Sequence, residues 1–449
     1  MLIRFTLENW MSFRDSTTFS MIATRERQHG ERIPKVKKYG TRLLPVSAIF
    51  GGNASGKSNL FKALAFAKSL VVEGTTKPSQ AIGRIPFLLE KQAKERPSSF
   101  SFELLIQDHM YEYSFSVTSQ TVVEERLIDM SPTGERLLYH RKGTAPPNFD
   151  PKLPESDRLR FVHEGTRANQ LFLTNSVSQN VTVFKSIYDW FQDTLELVAP
   201  DARYAQFQHF LEANHPLRDH MNALVPKIDS GVLRMESEEV PLQKIVQDEA
   251  TLARIREGLD DGAGVLLESP DKQERLVAMN RDGELVLSRL VSYHATLDGT
   301  EERFQMRQES DGTQRVIELL PAFLHLSSDQ AAKVYVIDEL DRSLHTHLTR
   351  SLLEGYLACC SESSRSQLLF TTHDFMLMDQ DLLRRDEMWV TERDDRGVTK
   401  LYSFSDFKDV RYDKDIRKSY LLGRMGGVPR LRLQGALLTG KRPTPGVQP

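Results

Sequence analysis

The stretch Gly51-Gly52-Asn53-Ala54-Ser55-Gly56-Lys57-Ser58 fits the pattern G-x-x-x-x-G-K-[ST], and its neighbours decide the fold. Before it, Leu44-Pro45-Val46-Ser47-Ala48-Ile49-Phe50 reads as a short buried strand. After it, Asn59 to Ala67 reads as a helix with no breaker. Strand, glycine loop and helix N-terminus together make the setting in which this pattern binds phosphate. Loop N–H groups and the positive helix end then point at the anion. Lys57 would reach the β- and γ-phosphates and Ser58 would set its hydroxyl on Mg2+. Gly51, Asn53, Ala54, Ser55, Gly56 and Asn59 complete the expected nucleotide contacts, with ATP and Mg2+ as cofactors. Without strand and helix, the same letters would be a glycine-rich turn.

Working outward, Val334-Tyr335-Val336-Ile337-Asp338-Glu339 is an apolar run ending in two acids. Behind a phosphate loop, Asp338 would hold the Mg2+ shell, and Glu339 could orient or deprotonate an attacking water. The other reading is a buried strand ending in a helix N-cap, because acids favour helix starts. Gln367 to Asp374 is a further strand that ends in polar residues. His373, at its C-terminal end, would lie at the ligand edge of an open α/β sheet. It would contact the γ-phosphate or the water, or be a surface or capping histidine. Glu309-Ser310-Asp311-Gly312-Thr313-Gln314-Arg315 precedes an apolar-periodic helix. Ser310 and Asp311 are N-cap types, and Gly312 allows close backbone approach. Such a helix end is either a second anion site or an ordinary cap.

The chain has 449 residues and a formal net charge of −3, which by itself predicts no nucleic-acid partner. Charge is uneven, with nine Lys/Arg against four Asp/Glu in residues 1–42 and ten against four in residues 405–449. Such patches face an acidic partner or a phosphate backbone, DNA included, or are solvated surface. No apolar run approaches the ~20 residues of a membrane span. Met1 to Trp10 alternates like a strand and lacks the apolar core of a signal peptide. Cys359 and Cys360, the only cysteines, lack metal-ligand spacing and read as buried free thiols in a helix. A cytoplasmic location is expected.

Phe100 to Ile106, the turn Gln107-Asp108-His109 and Tyr111 to Val117 predict a hairpin, followed by a strand over Val122 to Ile128. A helix is expected from Gln179 past Trp190. Residues 200–272 read as helical, including Leu242 to Val246 and Leu252 to Ile255, without the heptad run of a coiled coil. Four regions result: 1–199, a first lobe with the loop and a β-rich part; 200–272, a helical insertion; 273–404, a second lobe; and 405–449, a basic tail.

Together these motifs resemble the ABC-type ATPase heads of the SMC, Rad50 and OLD lineage. The order of phosphate loop (Walker A), signature, acidic strand (Walker B), D-loop and switch histidine is the family's. Ser310-Asp311-Gly312-Thr313 resembles the signature L-S-G-G-Q, with Asp311 in place of the first glycine. Leu340 to His345 resembles the D-loop. Asn9, Ser12, Phe13 and Arg14 resemble the N-terminal strand turn beside the nucleotide, and Gln179 is the candidate Q-loop residue at the metal. More narrowly, the chain is similar to compact bacterial ATPases of phage-defence operons. These include the PARIS-system ATPase and others paired with RloB-like or TOPRIM nucleases. The resemblance implies an α/β P-loop NTPase head with a mixed central sheet, an antiparallel β lobe and a helical insertion. It implies a homo-oligomer, at least a dimer, in which Ser310 and Gly312 complete a neighbour's site. It also implies a separate nuclease or toxin effector, because too little chain follows His373 for a TOPRIM domain, and a phage protein as possible trigger. A Rad50-like repair ATPase and an ATP-stabilised scaffold with slow turnover remain alternatives.

Overall fold

The computed structural model describes residues 1–200, 216–241, 259, 264–268, 275–281, 284–328, 332–407, 416–423 and 427. Six strands make the central sheet: β1 (Val46–Phe50), β2 (Leu195–Val198), β3 (Val334–Ile337), β4 (Gln367–Thr371), β5 (Met388–Arg393) and β6 (Thr399–Ser403). Their spatial order is β2-β3-β4-β1-β5-β6. All neighbours run parallel except the β5–β6 hairpin. Strands β1, β3 and β4 are buried along their whole length, which is why they read as continuous apolar runs.

Period-two alternation sends their side chains to two cores. Ile49, Val336 and Leu369 pack with Leu60, Leu64 and Ala67 of α1 (Lys57–Val72). Phe50, Ile337 and Phe370 pack on the other face with Phe323 of α3 (Asp311–Leu326) and Tyr356 of α4 (Thr346–Cys359). The sheet is therefore covered on both faces, and its five parallel strands, β1 to β5, end at one open edge. This is a P-loop α/β fold with a mixed central sheet.

A seven-stranded antiparallel sheet flanks it and holds the expected hairpin, Ser98–Ile106 with His109–Val117. Gln107 and Asp108 turn it with φ of 49° and 62°, the left-handed pair that matches strand twist. Phe100 and Phe102 of this lobe share the α1 core. Glu125, fully buried, accepts hydrogen bonds from the hydroxyls of Tyr113 and Tyr139 and the backbone N–H groups of Phe172 and Leu173. The last two open α2 (Phe172–Ser178), so a buried carboxylate meets a helix N-terminus.

A further antiparallel sheet contains Val232–Val240, Glu284–Ala295, Arg275–Arg281 and Gly264–Glu268. The described residues of the expected helical insertion, 200–272, hold one α-helix, Pro216–Leu224, a 3-10 turn, Val225–Lys227, and two strands, Val232–Val240 and Gly264–Glu268, so helix and strand are mixed there. The expected helical segments 242–246 and 252–255 lie outside the described residues, as does most of the basic tail. The helix expected from Gln179 past Trp190 is instead Lys185–Asp189 followed by a π turn, Trp190–Thr194. Cys359 is exposed rather than buried, because it closes α4 at the surface.

Candidate nucleotide site

The loop between β1 and α1 has the backbone its sequence demands. Gly51 and Gly56 have φ of 148° and 117°. A Cβ on Gly51 would stand 2.5 Å from the Thr391 hydroxyl, and one on Gly56 would stand 2.4 Å from Thr399. Both glycines are needed for conformation and for close approach. The β5–β6 hairpin braces the loop. Ser55 Oγ and Thr391 Oγ1 are 2.6 Å apart, and Thr399 Oγ1 donates to the Ser55 carbonyl at 2.8 Å. Asn59 Nδ2 donates to Ser12 Oγ at 2.7 Å, which ties the N-terminal turn to the first turn of α1.

Lys57 is 4% exposed, and its ammonium donates to the carbonyls of Gly51 and Gly52 at 2.7 and 3.1 Å. Burial pushes it down to about 8, against the pull of Asp338, Glu339 and Asp341. His373 Nδ1 lies 3.4 Å from the same ammonium. A phosphate would replace those two carbonyls with a full negative charge.

Asp338, 2% exposed, ends β3 with its N–H on the Val198 carbonyl at 2.9 Å. Thr371 Oγ1 donates to Asp338 Oδ1 at 2.5 Å and accepts from the Glu339 N–H at 2.8 Å. Glu339 is held at φ 50°, a left-handed conformation that costs a non-glycine residue about 1 kcal/mol or more. Its Oε1 lies 3.7 Å from His373 Nε2. The carboxylate of Asp341 accepts the His373 N–H at 3.3 Å. The ends of β3, β1 and β4 thereby bring Asp338, Glu339, Lys57 and His373 together. Loop residues Asn53 to Asn59, Glu339, His373 and Arg393 line one cleft of about 480 Å³.

Ser58, in the first turn of α1, and Asp338 are hard oxygen donors of the type Mg2+ takes. No cluster of three or more His, Cys, Asp or Glu able to hold a metal occurs among the described residues. The donor set fits an ion that binds through one or two protein oxygens and the substrate's phosphates.

Ser310 caps α3, its Oγ accepting from the Thr313 N–H at 3.1 Å. A Cβ on Gly312 would come within 2.8 Å of the Ser343 carbonyl, so the glycine lets α3, the expected signature helix, rest on the backbone of the segment after β3 that was expected to be the D-loop. Glu309, just before the cap, is held by His294 Nε2 at 2.7 Å. Ser310 and Asp311 are exposed, and neither they nor Gly312 line the cleft.

Two expected residues are not brought to the cleft. Gln179 is exposed at the C-cap of α2, with its carbonyl held by Arg158. Thr174 of α2 donates to the Val71 carbonyl, at the far end of α1 from the loop. At 1.5 Å per residue that is about 20 Å away. The segment that leaves the sheet beside Asp338 is the one after β2. Arg14 pairs with the adjacent Asp15 at 2.9 Å, and the turn reaches the loop through Ser12 instead. Thr391, Thr399 and Arg393 carried no motif, and Thr371 and Asp341 lay within motifs without a role of their own. Only the placement of polar residues at strand ends could have found them.

A family model described as "AAA domain, putative AbiEii toxin, Type IV TA system" matches residues 46–379. No curated protein matches in sequence. Among solved structures, the SMC head domain from Thermotoga maritima is similar at 13% identity and TM-score 0.35, over 90% of this chain and 98% of that one. The SmcHead bound to the C-winged helix domain of ScpA is similar at 14% identity and TM-score 0.37, over 90% and 97%. At those scores neither likeness decides anything about this chain.

Proposed function

Because the chain belongs to this AAA domain family, we propose that it is a Mg2+-dependent ATPase of ABC type that works as a homo-oligomer. One observation carries the reading: a buried lysine, an acid after a buried aspartate, and a histidine share the cleft of a phosphate loop. In the reaction, Lys57 and the loop N–H groups hold the β- and γ-phosphates. Glu339 orients the attacking water and accepts its proton, and His373 contacts the γ-phosphate. Ser58 and Asp338 would hold Mg2+, which supplies charge neutralisation at the phosphate oxygens. Ser310 and Gly312 of a second copy cap the γ-phosphate, so that ATP joins the two chains and hydrolysis releases them. Catalysis is positioning and charge stabilisation.

Biologically, the chain acts in the cytoplasm as the sensor of an anti-phage system, restraining a separate nuclease or toxin until a phage product arrives. The E-S-D-G-T, D-E-L-D-x-S-L-H and F-T-T-H-D segments support this through their resemblance to phage-defence ATPases. The toxin wording of the matched family is in keeping with it. Phosphate release from ATP, measured with and without Mg2+, duplex DNA and lysate of phage-infected cells, is the test. Mg2+-dependent turnover that rises with lysate supports the sensor. A rise with DNA alone supports a repair ATPase, and slow turnover indifferent to both supports a scaffold.

A further inference from the structure

We propose that Arg393 is the cation at the nucleoside end of the cleft, donating to the α-phosphate. This rests on the reading of the cleft as an ATP site. Four parallel strands end side by side in the order β3-β4-β1-β5. Strand spacing is about 4.8 Å, so Glu339 after β3 lies about 10 Å to one side of the loop, and the end of β5 lies about 5 Å to the other. Glu339, His373 and Lys57 mark the γ end. The nucleotide must then run across the loop toward β5, and the residue that ends β5 and lines the cleft is Arg393.

Local geometry gives Arg393 this aim. Thr391 and Arg393 share one face of β5, and Arg393 is paired in register with Thr399 of β6. Thr391 and Thr399 are the two threonines that touch the loop at Ser55. The face that carries Arg393 is therefore the face on which the loop rests. Arg393 Nε donates to the Gly397 carbonyl at 3.0 Å within the same hairpin. That bond fixes the guanidinium and leaves its two terminal nitrogens, the fork that suits phosphate oxygens. Lys57, the other lysine or arginine that lines the cleft among the described residues, lies at the opposite end beside His373 and Glu339. An arginine that meets the α-phosphate grips ATP and ADP alike, so it sets affinity rather than rate.

Equilibrium binding of ATP and of ADP to Arg393→Ala, together with steady-state turnover, tests this. Both affinities should fall by the same factor, about tenfold, an amount in keeping with loss of one charge-assisted contact. KM for ATP should rise to match, while kcat at saturating ATP holds. Arg393→Lys should fall between, since it keeps the charge and loses the fork. Arg393 is exposed, so unfolding temperature should not move. A loss confined to ATP would put the residue at the γ-phosphate and overturn the proposal. So would a fall in kcat at unchanged KM, or unchanged affinity for both nucleotides. If instead Lys57→Ala leaves ATP binding intact, the ATP reading itself has failed, whatever Arg393 does.

Discussion

The strand-end cleft and the N-terminus of α3, the two places proposed to meet phosphate, are built differently. In the cleft, four residues from three strand ends meet within one chain, with Lys57, His373 and Glu339 linked by contacts of 3.4 and 3.7 Å. At the signature, Ser310 caps an exposed helix end that meets none of them. That helix is nonetheless fixed on both sides, by His294 through Glu309 and by the D-loop under Gly312. Rigid placement of such a helix end is what the proposed shared site would require of each partner. The contrast is between a cleft whose side chains meet within one chain and an exposed helix end held firmly by its neighbours, the division that the proposed sharing of a site between two chains would need. Helix α3 also buries Arg315, 4% exposed, whose three guanidinium nitrogens find no hydrogen-bond partner among the described residues, although the charge of Glu318 acts on it. Asp338 and Glu339 are among the charges that act on it.

The sharpest way to break this comparison is Lys57→Ala. Binding of labelled Mg-ATP should weaken by a factor on the order of a hundred or more, at ~1.4 kcal/mol per tenfold. Unchanged affinity would mean that the loop is not the nucleotide site. Next comes Glu339→Gln, which keeps shape but cannot accept a proton. ATP should still bind, and phosphate release should fall by a factor on the order of 10² to 10⁴. Parental turnover in this variant would remove Glu339 from the water-activating role.

Smaller effects probe the signature half. Gly312→Ala drives a Cβ to 2.8 Å from the Ser343 carbonyl. Chemical denaturation should report a loss of about 1–3 kcal/mol, with the D-loop or helix shifted. An unaltered midpoint would mean that the two segments are not in firm contact. Arg315→Met removes a buried charge that makes no hydrogen bond and should raise that midpoint, by about 1–4 kcal/mol if the site packs well. A lowered midpoint would show that the guanidinium has a stabilising partner. Gln179→Ala should change neither nucleotide affinity nor turnover, and a loss of Mg2+ dependence would restore it to the metal site.

What sequence made legible followed local chemistry. The loop, the acids after Ile337 and the histidine after Thr372 each sit at the end of a buried strand, and parallel strands must end at one edge. Long-range placement was not legible. Gln179 has suitable neighbours, but nothing local says that Glu125 draws its helix to the far end of α1. Val232–Val240 carries three glutamates and hides its strand character. Glu238 is satisfied by Arg289 and Arg303 across the sheet, pairs that lie far apart in sequence. Thr399 and Arg393 matter only because β5–β6 folds beneath the loop, which no spacing announces.

If Ser310 of one chain completes the cleft of another, mixing two variants reveals it. Ser310→Arg would block closure of a signature helix over a neighbour's ATP and leave its own loop intact. Glu339→Gln would silence its own cleft and leave its signature intact. Alone, each variant should be inactive. Mixed, a pair of the two contains one site in which an intact Glu339 faces an intact Ser310, and with random pairing of equal amounts phosphate release should return toward about a quarter of the parent's, since roughly half the pairs are mixed and each has one working site. A mixture as inactive as its components, beside a parent that hydrolyses ATP as a strict monomer, would contradict the account.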